Sequence, residues 1–355
     1  MTRMSWARAA GAVSLVLLIS CAGSPSSRKP NGPTIALTGS ILGTGRPFGQ
    51  GLYAYSLPDL RGERLGVREG QELGFGLEFL GAFWTDETHA VTFVSSGTGS
   101  QLVRASPGQP PEELGPRLPL VSSFDVRGGH AVATTCPRRP GRLHVLDLAR
   151  PRAWRVVARS CLATLSPDGT RVAYVQRDTE VWEEPVEGGT AALLVDVADV
   201  REVREKDLGR EVISQLSWGR AGVAAVVSNE RSLGGFSGGR SAIVVRDGDG
   251  TTHVAPLPVQ DLSFPFRPWQ PNGTLLAIIA RPSSGGALLR LFDPTTGELR
   301  VVAADTQFLA NAAWSPDGRA LVASNSGNAM LFVDVKGNWI KRIGTGGIGL
   351  LDWGA

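Results

Sequence analysis

Hydrophobic and polar positions alternate in short runs along this chain. Residues 313–324, AWSPDGRALVAS, carry the pattern in full. A large aromatic closes one apolar run, a polar turn follows, and a second apolar run begins. The turn is written in residues suited to their places: Pro316 pre-sets φ, Asp317 tolerates the next position and Gly318 closes it. The run after it, rich in small and branched apolar residues, suits a half-buried strand.

The pattern recurs. Trp84 stands before Thr85-Asp86-Glu87-Thr88 and the run 89–94. Leu165 stands before Ser166-Pro167-Asp168-Gly169 and the run 170–175. Trp218 precedes Gly219-Arg220-Ala221-Gly222, and Trp269 precedes Gln270-Pro271-Asn272-Gly273. A weaker copy spans 124–133, with Phe124 or Val126 as its anchor. A last copy, Leu351-Asp352-Trp353-Gly354-Ala355, stops at the turn. The anchors fall at 84, 124, 165, 218, 269, 314 and 353. A repeat of about 40 to 50 residues with several short strands per unit is the signature of a β-propeller. A helical solenoid of similar period is excluded, because Gly and Pro interrupt the chain at short intervals and no segment sustains a 3.6-residue period.

The last full unit sets the four-strand scheme: an inner strand ending at Trp314, then 319–324, 329–335 and 339–344. Lys336-Gly337-Asn338 turns the third strand into the fourth. The expected fold is all-β, a seven-bladed propeller of four-stranded antiparallel blades over residues 34–355. Its closure is also legible. Residues 34–42, 51–57 and 63–67 read as second, third and fourth strands with no first strand before them. Residues 347–353 read as a first strand with nothing after it. Pairing the two completes one blade from both ends and removes two open sheet edges.

The phrases LSPDGTRVAYV (165–175) and AWSPDGRALVAS (313–324) resemble the repeat of TolB-type, WD40-like bacterial propellers. The resemblance extends over residues 34–355, strongly in four units and weakly in the third. It implies the fold and no particular activity.

Composition adds an address. Arg3 and Arg8 precede an apolar stretch, residues 9–19, that is too short to span a bilayer. Leu18-Ile19-Ser20-Cys21 resembles a bacterial lipobox. That resemblance implies a signal peptide over 1–20, lipid on the Cys21 sulfur and attachment to the cell membrane from outside the cytoplasm. An ordinary secretory signal with an incidental Cys is the alternative. Residues 22–33, AGSPSSRKPNGP, read as a tether whose full extension reaches about 40 Å. With 42% hydrophobic residues the remainder can bury a large core, and the formal charge of +3 falls to about +1 once Arg3 and Arg8 leave. Such a balance gives no footprint of a nucleic-acid binder.

In a propeller blade the loops after the second and fourth strands open on one face, and the turns after the first and third open on the other. Cys136 ends a second strand in the third blade and Cys161 begins the fourth blade, so both lie on the first face. A disulfide between them suits an oxidising compartment, with two separate buried thiols as the alternative. The departures from the minimal blade fall there too: a charged insertion at 196–211 and a Gly-rich loop at 229–240. The expected binding face therefore gathers Arg138, Arg139, Arg142, Arg159, Arg177, Arg201, Arg204, Glu230, Arg231, Phe236 and Arg240. The bland reading is that such insertions cost little and their charges are solvated.

Catalytic signals are weak. Gly235-Phe236-Ser237-Gly238-Gly239 fits G-x-S-x-G but lies between strands, without the helix that the motif needs. His89, His130, His144 and His253 have no ligand spacing, and Asp247-Gly248-Asp249-Gly250 lacks the distant Glu of a calcium loop. The repeated Trp argues for packing between blades. No catalytic residue, metal or cofactor is expected. The sequence points to an interaction module of the cell envelope, held by a lipid and meeting an envelope protein or ligand. The alternative is a lactonase- or polysaccharide-lyase-like enzyme with its site in the central channel.

Overall fold

The computed structural model describes residues 40–45, 50–57, 59, 61–66, 72–73, 81–96, 99–136, 141–200, 211–229, 241–257, 261–281, 285–305, 309–325, 329–344 and 349–354. All lie in one compact unit, Thr34–Ala355. Cys21, the expected leader and the tether fall outside the described residues.

Seven four-stranded antiparallel blades form a ring. Blade 1 consists of Gly349–Gly354, Ser40–Gly45, Gln50–Ser56 and Arg61–Leu65. Blade 2 runs from Ala82–Trp84 to Glu112–Leu118, blade 3 from Val121–Arg127 to Arg155–Ala158, and blade 4 from Ala163–Leu165 to Ala192–Asp196. Blade 5 runs from Glu211–Gly219 to Thr252–Leu257, blade 6 from Asp261–Ser263 to Glu298–Asp305, and blade 7 from Leu309–Trp314 to Trp339–Gly344. The short strand Glu72–Leu73 pairs with Gln50 on one side and with Val94 and Ser95 on the other, joining the sheets of blades 1 and 2.

Closure occurs as the sequence predicts. The C-terminal strand pairs antiparallel with Ser40–Gly45 in the register Ile41↔Trp353 and Leu42↔Asp352, with a bulge at Leu42/Gly43. The first described strand of blade 1 begins at Ser40, and residues 34–39 of its expected span lie outside the described residues.

The middle strands are apolar on both sides because each blade is sandwiched between two others. In blade 6, Leu276, Ile278 and Ala280 pack toward Ala224, Val226 and Ile243 of blade 5. Ala277 and Ile279 pack toward Leu321, Ala323 and Leu331 of blade 7.

The turn chemistry acts as written. Gly169 N–H and Gly318 N–H donate to the Ser166 and Ser315 carbonyls at 2.8 Å. The Ser166 and Ser315 hydroxyls donate to Asp168 and Asp317 at 2.6 Å. Asp168 and Asp317 then accept the N–H of Thr170 and Arg319 at 3.0 Å. Gly169 has φ +72°, and a Cβ there would come within 2.4 Å of the Arg127 carbonyl of blade 3. Glycine is therefore required both by the turn and by the neighbouring blade.

The Trp series packs between blades. Trp269 donates its indole N–H to the Ser217 carbonyl of blade 5 at 3.4 Å, and Trp314 to the Pro268 carbonyl of blade 6 at 2.9 Å. Gly219 and Gly354, each following an anchor Trp, lie against the rings of Trp269 and Trp84 in the next blade. The third-unit anchor is Val126, not Phe124: Val126 pairs with Ala131 just before its turn, as Trp84 pairs with Ala90.

Candidate functional site

The Cys136–Cys161 disulfide is present, with Cα atoms 5.4 Å apart. Arg142 opens the strand after the same loop as Cys136, Arg159 lies between blades 3 and 4, and Arg177 sits in the turn after the second strand of blade 4. All three are exposed. Arg177 has φ +50° and donates to Glu180 at 2.9 Å. Arg138, Arg139, Arg201, Arg204, Glu230, Arg231, Phe236 and Arg240 lie outside the described residues, as does the Gly235–Gly239 motif.

A concavity opens on the opposite face, where the turns after the first strands converge on the channel. It has a volume of about 980 Å³. The turns of blades 2, 3, 4, 5 and 6 form its walls, with Asp86, Gly128, Asp168, Arg220 and Asn272 among the lining residues. Arg127 and Arg267 lie at its base, where the inner strands end.

These two arginines tie the ring together across the channel. Arg267, from blade 6, pairs with Asp352 of blade 1 at 3.0 Å. Its Nη2 donates to the Trp84 carbonyl of blade 2 at 3.3 Å and to the Val126 carbonyl of blade 3 at 3.5 Å. Its guanidinium also lies 4.8 Å from the centre of the Phe83 ring, a favourable cation–π placement. Arg127, from blade 3, pairs with Asp125 at 3.3 Å and donates to the Trp218 carbonyl of blade 5.

Asp125 and Asp352 occupy equivalent places, each just before its anchor, and each reaches the next blade. Asp125 accepts the Leu165 N–H at 3.0 Å and the Thr164 hydroxyl at 2.9 Å. Asp352 accepts the Trp84 N–H at 3.1 Å. Both carboxylates are buried. Burial pushes Asp125 up, but Arg127, the Leu165 N–H, Arg267 and the Thr164 hydroxyl outweigh it and hold its carboxyl below the usual range. At Asp352 burial prevails over Arg267, the N–H groups of Trp84 and Trp353, and the more distant Arg127, so its pKa is raised. Asn311 continues the belt, accepting the Phe266 N–H at 3.3 Å and donating to the Leu350 carbonyl at 3.1 Å.

The inner strands are thus more polar than their mostly apolar or small residues suggest. Sequence reasoning passed over Asp125, Asp352, Arg127 and Arg267. One signal was present: SFDVRG and GLLDWG share an Asp immediately before the anchor.

On the cavity walls the acids are already engaged. Burial pushes Asp86 up, but the Thr88 N–H, the His89 ring, the His89 N–H and the Thr88 hydroxyl together outweigh it and bring it down to about 2. The Ser166 hydroxyl and the Thr170 N–H lower Asp168. His89 and His130 do occupy equivalent repeat positions, each preceding the anchor's partner, Ala90 or Ala131. His253 pairs with Asp247 at 2.9 Å, whose carboxylate also takes the Thr251 N–H. The Asp247 loop is therefore a turn braced by its own side chains. Among the described residues no group of three or more His, Cys, Asp or Glu could hold a metal ion. No helix among them is long and apolar enough to cross a membrane.

No protein-family model matches the chain, and no match was found among curated proteins. Solved structures do match. TolB from Acinetobacter baumannii is 14% identical, with a TM-score of 0.45 over 88% of this chain and 78% of that one. Porphyromonas gingivalis dipeptidyl peptidase 4 is 15% identical, with a TM-score of 0.50 over 78% of this chain and 48% of that one. The tricorn protease is 11% identical, with a TM-score of 0.49 over 85% of this chain and 33% of that one. At 15% identity the likeness to the dipeptidyl peptidase speaks to fold alone, and the seven-bladed propeller is read from the chain's own strand pairing.

Proposed function

We propose that this protein is a binding module of the cell envelope, a propeller held outside the cytoplasm by a lipid on Cys21 and engaging an envelope protein or ligand through one face. The observation that carries the reading is the cavity of about 980 Å³ at the inner-turn end of the channel. Its base is built from guanidinium and carboxylate groups that bond to one another and to backbone carbonyls of several blades. Groups engaged in this way hold a rigid concave surface, which is what a binding site needs. The same engagement leaves neither carboxylate free as a general acid or base, which weighs against the channel-enzyme alternative.

Site-specific photocrosslinking in cells tests the reading. A photoreactive residue at Asn272, in the cavity wall, is expected to capture a discrete partner, identified by mass spectrometry. One at Arg142, beside the disulfide, tests the opposite face. Capture at Arg142 alone would move the binding surface to the elaborated loops, and capture at neither would overturn the module reading. Cys21→Ala is expected to release the protein from the membrane fraction, and retention there would refute the anchor.

A further inference from the structure

We infer that the outer edge of blade 4 accepts an added strand: an extended segment of a partner protein, apolar at its middle and basic at both ends. This edge lies on the flank of the ring, and none of its residues lines the cavity. The inference therefore goes beyond the binding reading above and is tested separately from it.

The fourth strand of each blade is an edge of its sheet. A bare edge presents backbone N–H and C=O groups with which another chain can pair, and folded proteins protect such edges with charged side chains, Lys above all, or with Pro. Six of the seven outer strands follow that rule, carrying Arg64, Arg117, Arg155, Pro256, Arg300 and Lys341 in blades 1, 2, 3, 5, 6 and 7. The outer strand of blade 4, Ala192–Asp196, has neither Pro nor a basic residue. Residues 190–195, Thr-Ala-Ala-Leu-Leu-Val, are uncharged throughout. Leu194 and Val195 pack toward blade 5, whereas Ala192 and Leu193 are exposed, Leu193 by 49%. A bulge at Leu194 interrupts the pairing with the third strand, but four of the other six outer strands carry one too, so it does not set this edge apart.

Charge selects the strand that fits. Residues 178–200 hold seven acidic residues and no Lys or Arg. Glu180 and Glu183 are paired with Arg177 and Arg171 of the same blade, and Glu184 is buried. Glu187, just before the uncharged run, is 86% exposed, its carboxylate 3.6 Å from the His130 ring. Asp196, at the other end, accepts the Ala198 N–H at 3.0 Å. A segment laid along this edge meets acid at each end and apolar side chains between. Backbone bonds supply the affinity of an added strand and side chains choose the chain, and opposite charges facing across a strand pair are favourable where like charges are not. A second copy of this edge fits poorly, since antiparallel pairing with itself sets the acids of one end against those of the other.

The test titrates a labelled peptide, Lys-Thr-Val-Thr-Val-Thr-Lys, into the full propeller up to the millimolar range at constant ionic strength, followed by fluorescence anisotropy. Saturable binding is expected, with amide exchange slowed along residues 190–196. The same peptide N-methylated at every interior residue, which cannot pair along either side, should not bind. Replacing its two Lys with Glu should weaken binding by about threefold or more. Leu193→Lys gives this edge the protection of the others and should weaken binding by about tenfold or more, through a like charge beside the peptide's own. Val301→Lys makes the same change at an equally exposed residue, 49%, on the outer strand of blade 6, and should alter affinity less than about twofold, as a distant screened charge. Equal melting temperatures will establish that both variants are folded, and the altered peptides test the wild-type protein without them. No saturable binding, equal binding of the N-methylated peptide, or equal weakening by the two variants would overturn the added strand. Equal binding of the Lys-ended and Glu-ended peptides would overturn the basic partner.

Discussion

Arg267→Met removes the crossbar of the channel. The substitution keeps most of the side chain's apolar volume but leaves Asp352, only 4% exposed, with backbone N–H donors and no adjacent cation. It also strips the Trp84 and Val126 carbonyls of a donor and empties the place over Phe83. Removing one partner of a buried ion pair costs about 3–5 kcal/mol, because the charge left behind is not compensated. With an unfolding entropy of about 2.1 cal/mol/K per residue, a domain of this size should melt about 4–7 °C lower. The double variant Arg267→Met/Asp352→Asn removes the stranded charge while keeping an acceptor for the Trp84 N–H. It is expected to recover at least half of the loss. The sign with pH is fixed. Asp352 has a raised folded pKa, so its ionisation opposes folding, and stability linked to its proton is present at low pH and lost as pH rises through the folded pKa. The deficit of the single variant should therefore be largest at neutral pH and shrink on acidification. Thermal melts followed by circular dichroism at several pH values decide the matter. A loss no greater than that of Arg319→Met, an exposed arginine, or a double variant as unstable as the single one, would refute the crossbar role of Arg267.

Three further outcomes follow from the same structure. Replacing Cys136 and Cys161 with Ser opens a loop with a sequence separation of 25 and should cost about 3 kcal/mol in the chain-entropy model; equal urea midpoints for wild type and variant would contradict it. Gly169→Ala should cost about 2–4 kcal/mol, from a left-handed backbone and a clash with blade 3. Gly108→Ala, at φ +64° with nothing within 4 Å, should show the backbone cost alone, so equal melting temperatures for the two variants would remove the inter-blade contact from the account. Asp125 has a lowered folded pKa, so its contribution is present above the unfolded value and lost as pH falls through the folded one. Asp125→Asn should be less stable than wild type at pH 7 and show a flatter acid limb in urea midpoints, and an unchanged limb would refute that role.

The repeat, the blade count and the closure were legible in the sequence because each rests on local chemistry. Ser-Pro-Asp-Gly closes its turn with bonds among residues 166–171 and again among 315–320, and a run such as 276–280 is apolar throughout because both its faces are covered. The first strand missing from the N-terminal part of blade 1 and the surplus strand at 349–354 could be matched by counting alone. The disulfide was also within reach, since it required only the order of strands around two adjacent blades.

The channel was not legible, and the reason is distance along the chain. Trp84 and Asp352 are 268 residues apart, Arg267 and Trp84 are 183 apart, and Arg127 and Trp218 are 91 apart. No local pattern links such residues. Each Arg or Asp read alone is a charge beside a turn, and only ring closure turns it toward a shared axis, where both carboxylates are buried. There the carboxylates must find guanidinium partners. Sequence determined the wall of the propeller; the closed ring alone decided what stands at its centre.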